Sequence, residues 1–152
     1  MSVHAYTRCW LHVIWGTKNR ERLLDAPEAR ARVSKYLHEY AAEKGIYMKI
    51  NYVNPEHVHA LIDLPTSLTI ADAAQLLKGA SSNWINQEDI ITRKFSWGRG
   101  YGAFSVSHSG VDAVAKYIAT QEQHHRKKSF TEEYEAFIRA YGLALEQSAA
   151  SR

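Results

Sequence analysis

The segments Glu56-His57-Val58-His59-Ala60-Leu61-Ile62-Asp63 and Tyr117-Ile118-Ala119-Thr120-Gln121 hold the residues of this chain best suited to chemistry. In an extended strand, side chains at i and i+2 point to the same face. His57 and His59 then present two imidazoles side by side, with Val58 turned into a core. On a helix, residues i and i+4 lie one above the other, so Tyr117 and Gln121 share a face. Two ring nitrogens, an amide oxygen and a phenol are thereby available around one metal ion. Such a set suits a tyrosine nucleophile attacking a metal-polarised phosphodiester.

Each group also has a plainer use. Two histidines on a sheet face can be hydrogen-bonded structural residues, and a tyrosine on an amphipathic helix usually packs. Gln121 supplies the oxygen donor that the pair His57 and His59 lacks. A mixed N,N,O set with open positions suits Mg²⁺ or Mn²⁺ better than a closed structural zinc site. Asp63 falls at the wrong spacing for an HxHxDH metallohydrolase signature. A phenol with a pKa near 10 needs a base or a nearby cation to attack at neutral pH. Lys116 is next to Tyr117 in sequence but lies about 100° round a helix, which makes it a poor activator.

The elements that must position these groups follow from pattern. Residues from about Arg8 to Trp15 form an apolar strand closed by Gly16. Asp25 is expected to cap a helix starting near Ala26-Pro27, with Val33, Leu37, Tyr40 and Ala41 buried and Gly45 ending it. Tyr47 to Val53 alternates as a strand, with Met48, Ile50 and Tyr52 on one side. Asn54-Pro55 turns the chain, and His57 to Leu64 returns as the second arm of a hairpin. Thr69 with Asp72 opens a second helix through Ile70, Ala73, Ala74, Leu77 and Trp84. After the loop Gly98-Arg99-Gly100-Tyr101-Gly102, Ala103 to Val106 is a short strand. Ser109 and Asp112 open the helix carrying Tyr117, and Ser129 with Glu132 opens a last helix closed at Gly142. The order β-α-β-β-α-β, followed by further helices, is a ferredoxin-like α+β arrangement around an antiparallel sheet. That fold hosts many functions and says nothing of chemistry by itself.

At 152 residues the chain suits a single domain, placed at 1–145 with 146–152 as a frayed tail. Its 45% hydrophobic and 23% charged content is that of an ordinary globular protein. Cys9 is the only cysteine, which rules out an intrachain disulfide and agrees with a reducing, cytoplasmic setting. No run approaches the roughly 18 apolar residues of a membrane span. A net charge of +3 permits nucleic-acid binding without demanding it. Basic clusters that could track a phosphate backbone are Lys18, Arg20 and Arg22; Arg93, Lys94 and Arg99; and Arg126, Lys127 and Lys128. Solvated surface is the plain alternative for each. Lys78 is a further candidate for DNA contact, while Trp97, Tyr101 and Phe104 could stack unpaired bases or belong to the core.

With these residues in place, the chain resembles the single-tyrosine HUH transposases, small bacterial single-strand DNA transposases of insertion sequences and their REP-associated relatives. His57-Val58-His59 fits the His-hydrophobic-His motif, and Tyr117 with Gln121 fits the tyrosine helix. Supporting stretches are Cys9 to Arg20, Leu76-Leu77-Lys78-Gly79-Ala80-Ser81-Ser82, the His124-His125 pair and Phe130-Thr131-Glu132-Glu133-Tyr134. The resemblance implies the ferredoxin-like fold and a divalent ion, Mg²⁺ or Mn²⁺, on His57, His59 and Gln121. It implies Tyr117 as nucleophile, a 5′-phosphotyrosine intermediate and recognition of hairpins in single-stranded DNA. It also implies a homodimer whose sites combine His57 and His59 of one subunit with Tyr117 and Gln121 of the other. Two other readings stay open: a domesticated hairpin-binding module without strand transfer, and a metal-dependent phosphodiesterase that uses water.

Overall fold

Four antiparallel strands, β1 (Trp10–Gly16), β2 (Tyr47–Val53), β3 (His57–Asp63) and β4 (Gly102–Val106), pair in the order β2-β3-β1-β4. The structure, a computed structural model, describes residues 5–143. The expected tail at 146–152 lies outside the described residues. Helix α1 (Pro27–Glu43) joins β1 to β2, and α2 (Ile70–Gln87) joins β3 to β4. The interleaved order with two crossover helices is the ferredoxin-like α+β arrangement. Three shorter helices follow: α3 (Val111–Ala119), α4 (Gln121–His125) and α5 (Phe130–Ala140).

Strand alternation gives the sheet two unlike faces. Leu11, Val13 and Trp15 of β1 and Val58, Ala60 and Ile62 of β3 join Val33, Leu37, Ala41, Leu77 and Ile85 in the main core beneath α1 and α2. The opposite face carries Trp10 and Leu61, on which Val111 and Ile118 of α3 pack. His12, His57 and His59 share that second face by parity, buried to 2%, 0% and 0% exposure. Register places Ile14 opposite His59 and His12 opposite Leu61, so His12 and His59 are diagonal neighbours.

The simple alternation expected for β2 does not hold. A register shift between Met48 and Ile50 leaves Lys49 unpaired and exposed, a β-bulge. Met48 and Val53 consequently enter the main core, whereas Ile50 and Tyr52 pack on the α3 side. Sequence periodicity assumes one residue per pleat, and a bulge breaks that assumption.

Helix starts divide into two groups. Thr69 with Asp72 and Ser129 with Glu132 form the expected capping boxes of α2 and α5. Asp25 does not cap α1: the N-cap is Ala26, and Asp25 instead accepts from Arg22 at 3.0 Å. Pro27, which has no N–H to satisfy, opens that helix. Nor does Ser109 cap α3, because a 3-10 turn over His108–Gly110 leads into it and Ser109 Oγ lies 3.2 Å from Ser107 Oγ.

The helix expected to carry both Tyr117 and Gln121 is broken. Helix α3 ends at Ala119, and Thr120 (φ −106°, ψ 28°) separates it from α4. The Thr120 hydroxyl donates back to the Lys116 carbonyl at 3.0 Å, an alternative partner that weakens helix continuation.

Contacts gather into two units, one ending at Gln121 and one beginning at Glu122. The sheet and α1 to α3 belong to the first. Within the second, His125 Nε2 lies 3.2 Å from Glu133 Oε1, Phe130 and Tyr134 stack, and Gly142 (φ +69°) follows α5. Among the described residues no helix is long and apolar enough to cross a membrane.

Candidate active site

The second sheet face gathers the chemistry-bearing residues of the first unit. β3 presents His57 and His59 with ring centroids 5.0 Å apart. Helix α3 lies over β2 and β3 and brings the Tyr117 ring within 6.1 Å of His59 and 6.3 Å of His12, both edge-on. Gln121, fully buried at the start of α4, has its Oε1 3.4 Å from Asn54 Nδ2. Asn54 Nδ2 in turn lies 3.2 Å from His57 Nε2. His57, His59, Tyr117 and Gln121, singled out from two separate segments, therefore meet on one face of a single chain. They do so although no continuous helix joins the last two.

Four further residues stand at the site without having been expected there: Glu56, His12, Asn54 and Arg22, the last expected only in a basic cluster. Glu56 Oε1 is 2.7 Å from His57 Nδ1 and accepts a hydrogen bond from it. Arg22 stands 3.6 Å from the other Glu56 oxygen. His12 Nε2 is 2.7 Å from His59 Nδ1. His12 was legible in principle, because alternation in β1 places it on the face of Trp10 and Ile14. The roles of Glu56 and Asn54 depend on how the β2–β3 turn folds: the Asn54 N–H donates to the His57 carbonyl at 2.7 Å and closes the hairpin. No periodicity encodes that closure.

The hydrogen bonds orient both imidazoles, and the Glu56 carboxylate selects the tautomer of His57. A carboxylate only accepts, so His57 carries its proton on Nδ1 and directs a lone pair from Nε2. The amide of Asn54, donating toward Nε2, requires the same tautomer. For His59, a proton on Nδ1 donated to His12 likewise leaves the lone pair on Nε2. A carboxylate or second imidazole behind each histidine is the usual support of a metal-ligating ring. Together with the amide oxygen of Gln121, this N,N,O set fits a divalent ion that keeps open positions for phosphate oxygens.

The basic residues have varied surroundings. Lys18 and Arg20 flank a 3-10 turn directly after β1 and are exposed, as are Lys94 and Arg99. Arg93 pairs with Glu21, and Arg126 lies 3.8 Å from Glu122. Lys127 and Lys128 are exposed between α4 and α5. Lys78 is different: its ammonium donates to the carbonyls of Gly98 and Gly100 at 2.9 and 2.8 Å, which ties down the glycine loop. Burial lowers its pKa from the ordinary lysine value. Trp97 and Phe104 belong to the packed interior, with Trp97 Nε1 donating to Ser81, whereas Tyr101 is exposed beside Arg99.

Comparison with known proteins agrees with this architecture. Residues 5–121 match the family described as "Transposase IS200 like", and the chain belongs to that family of insertion-sequence transposases. Among its relatives is the ISDra2 transposase TnpA of Deinococcus radiodurans, 28% identical over 115 residues, spanning 72% of this chain and 81% of that protein. The fold is similar to the crystal structure of a "putative transposase" from Deinococcus radiodurans R1 (TM-score 0.63, 24% identity, 80% of this chain and 96% of that one). It is also similar to the REP-associated tyrosine transposase bound to a REP hairpin (TM-score 0.59, 13% identity, 82% and 74%).

Proposed function

We propose that this chain is a DNA transposase that cleaves and rejoins hairpin-bearing single-stranded DNA through a 5′-phosphotyrosine intermediate. The observation that carries the reading is the Tyr117 ring beside His59, on the face where His57 and Gln121 converge. In this reading Tyr117 Oη attacks the scissile phosphorus in line, the P–O3′ bond breaks, and the 3′-hydroxyl leaves with a proton. A second 3′-hydroxyl later attacks the phosphotyrosine, reforms a phosphodiester and returns the phenol. One P–O bond is made for each one broken, so no nucleotide cofactor is consumed. A divalent ion, Mg²⁺ or Mn²⁺, held by His57, His59 and Gln121 would polarise the phosphate and stabilise its developing charge. Glu56 holds the His57 imidazole in the lone-pair orientation this requires, and His12 orients the His59 ring, which offers Nε2 in the tautomer whose Nδ1 donates to His12. Lys18, Arg20, Arg93, Lys94, Arg99 and the Arg126–Lys128 cluster are the proposed contacts to the DNA backbone. The cytoplasm is the proposed compartment.

The test is a covalent adduct. Incubation with Mn²⁺ and single-stranded DNA carrying a hairpin and a 5′ flank should give a species resistant to denaturing electrophoresis and sensitive to nuclease. Cleavage without any adduct would favour a water-using phosphodiesterase, and hairpin binding without cleavage a domesticated binding module.

The homodimer remains part of the proposal, but its active sites need not be exchanged. Helix α3 packs on β2 and β3 of its own chain, which supports a site completed within one subunit. Co-refolding His57→Ala with Tyr117→Phe should then restore no activity. Exchanged sites would instead recover about a quarter of the wild-type level, since half of randomly paired dimers would be mixed and each would hold one intact site.

A further inference from the structure

Pairing between β1 and the chain leading into β4 extends beyond Gly102. After an interruption over residues 99–101, the Gly98 N–H donates to the Gly16 carbonyl at 2.8 Å, Thr17 bridges Trp97, and the Lys18 N–H donates to the Ser96 carbonyl at 3.0 Å. The interruption sets Arg99, Gly100 and Tyr101 outside the ladder, with Arg99 exposed. Two glycines permit this shape. A side chain at Gly98 would meet the Thr17 carbonyl oxygen at 3.1 Å, and Gly100 has φ +77°. The same glycines make the loop costly to order, since they lose the most conformational freedom. Lys78, half-buried on α2, supplies the anchor. Its ammonium donates to the carbonyls of Gly98 and Gly100, the residues on either side of Arg99, at 2.9 and 2.8 Å.

We infer that Lys78 serves DNA binding as a positioning residue: it locks the loop so that Arg99 meets a backbone phosphate, and it makes no phosphate contact itself. This rests on the reading that Arg99 is a contact to DNA. Two of the three ammonium hydrogens are committed to the two carbonyls. To reach a phosphate, Lys78 would have to release both or draw the loop with it. Arg99 carries its own charge at the exposed turn between them. Ordering that turn before DNA arrives removes an entropic cost from binding, so a residue away from the phosphate raises affinity.

The experiment follows binding of the full chain to labelled single-stranded DNA carrying a hairpin and a 5′ flank, in EDTA, over a range of NaCl concentrations. Four proteins are compared: wild type, Lys78→Met, Arg99→Gln and the double variant. Arg99→Gln should weaken binding about fivefold. The slope of log affinity against log salt should fall by about one, the mark of one lost phosphate contact. Lys78→Met should reproduce both effects with Arg99 still present. The double variant should bind within about twofold of either single variant, its slope lowered by about one and not two, because the two residues act as a unit. Lys78→Gln takes the place of Lys78→Met, with the same pattern, if the methionine variant does not fold. Losses that multiply, with the slope lowered by about two, mean that Lys78 holds a phosphate of its own and overturn the inference. A folded Lys78 variant that melts earlier but binds with wild-type affinity and slope also overturns it, since that is the behaviour of a purely structural lysine. Arg99→Gln separates the two failures. If it weakens binding while the Lys78 variants do not, only the inference fails. If it leaves affinity and slope unchanged, the Arg99 contact fails and the inference with it.

Discussion

Tyr117→Phe is expected to lower cleavage of a single-stranded hairpin substrate by three orders of magnitude or more, about the scale of losing a covalent nucleophile. Hairpin affinity should change by less than about twofold, because ring packing survives and only one oxygen is removed. The ring lies edge-on to His12 and His59, and phenylalanine can keep both contacts. Denaturing electrophoresis of the variant with labelled substrate reads the adduct, and a gel shift in EDTA reads binding. A covalent species in the Phe variant would move the nucleophile to another residue. A gel shift lost together with activity would mean that Tyr117 serves the fold or the DNA rather than the chemistry.

Removing the metal ligands should have an effect of similar size. His57→Ala combined with His59→Ala is expected to abolish adduct formation at any Mg²⁺ or Mn²⁺ concentration, whereas wild type stopped by EDTA should recover when either ion is restored. Gln121→Ala should be the milder change, since water can replace one oxygen ligand more readily than two imidazoles. All three side chains are fully buried, so circular dichroism and a thermal melt must first show that each variant folds. Wild-type activity in excess chelator would remove the metal from the mechanism.

What the sequence made legible was governed by which forces are local. Capping boxes at Thr69 and Ser129, the α1 stripe through Val33, Leu37 and Ala41, and the parity of His57 and His59 all depend on residues within a few positions of one another. They appear as expected. The Asp25 cap, the Ser109 cap and the uninterrupted Tyr117–Gln121 helix do not, because a neighbouring Arg22, a neighbouring serine and a carbonyl one turn back offered those polar groups other partners. The site shows the same division. The residues proposed for it come from two short motifs. Of their supports, only the face of His12 follows from alternation; the contacts of Glu56, His12 and Asn54 arise from side-chain geometry that only the paired strands and the closed β2–β3 turn create. His12 and His59 are 47 residues apart in sequence and meet only when β1 and β3 are in register.

The bulge at Lys49 gives β2 an uncommon mutational grammar. The residue is exposed and makes no ladder pair, so the identity of its side chain should matter little. Its looping out matters a great deal. Deleting Lys49 would set Met48 beside Ile50, opposite the adjacent Ile62 and Leu61, and every side chain of β2 would keep its face. Drawing Lys49 into the ladder would instead put Met48 and Ile50 on the same face. Either Met48 would then leave the main core, or Ile50 and Tyr52 would leave the floor on which Val111, Val114 and Ile118 rest. The second outcome would undercut the helix that holds Tyr117, from a position on the far edge strand of the sheet. Homologous chains one residue shorter at this point can therefore keep the seat of the nucleophile, whereas chains of the same length must keep the bulge.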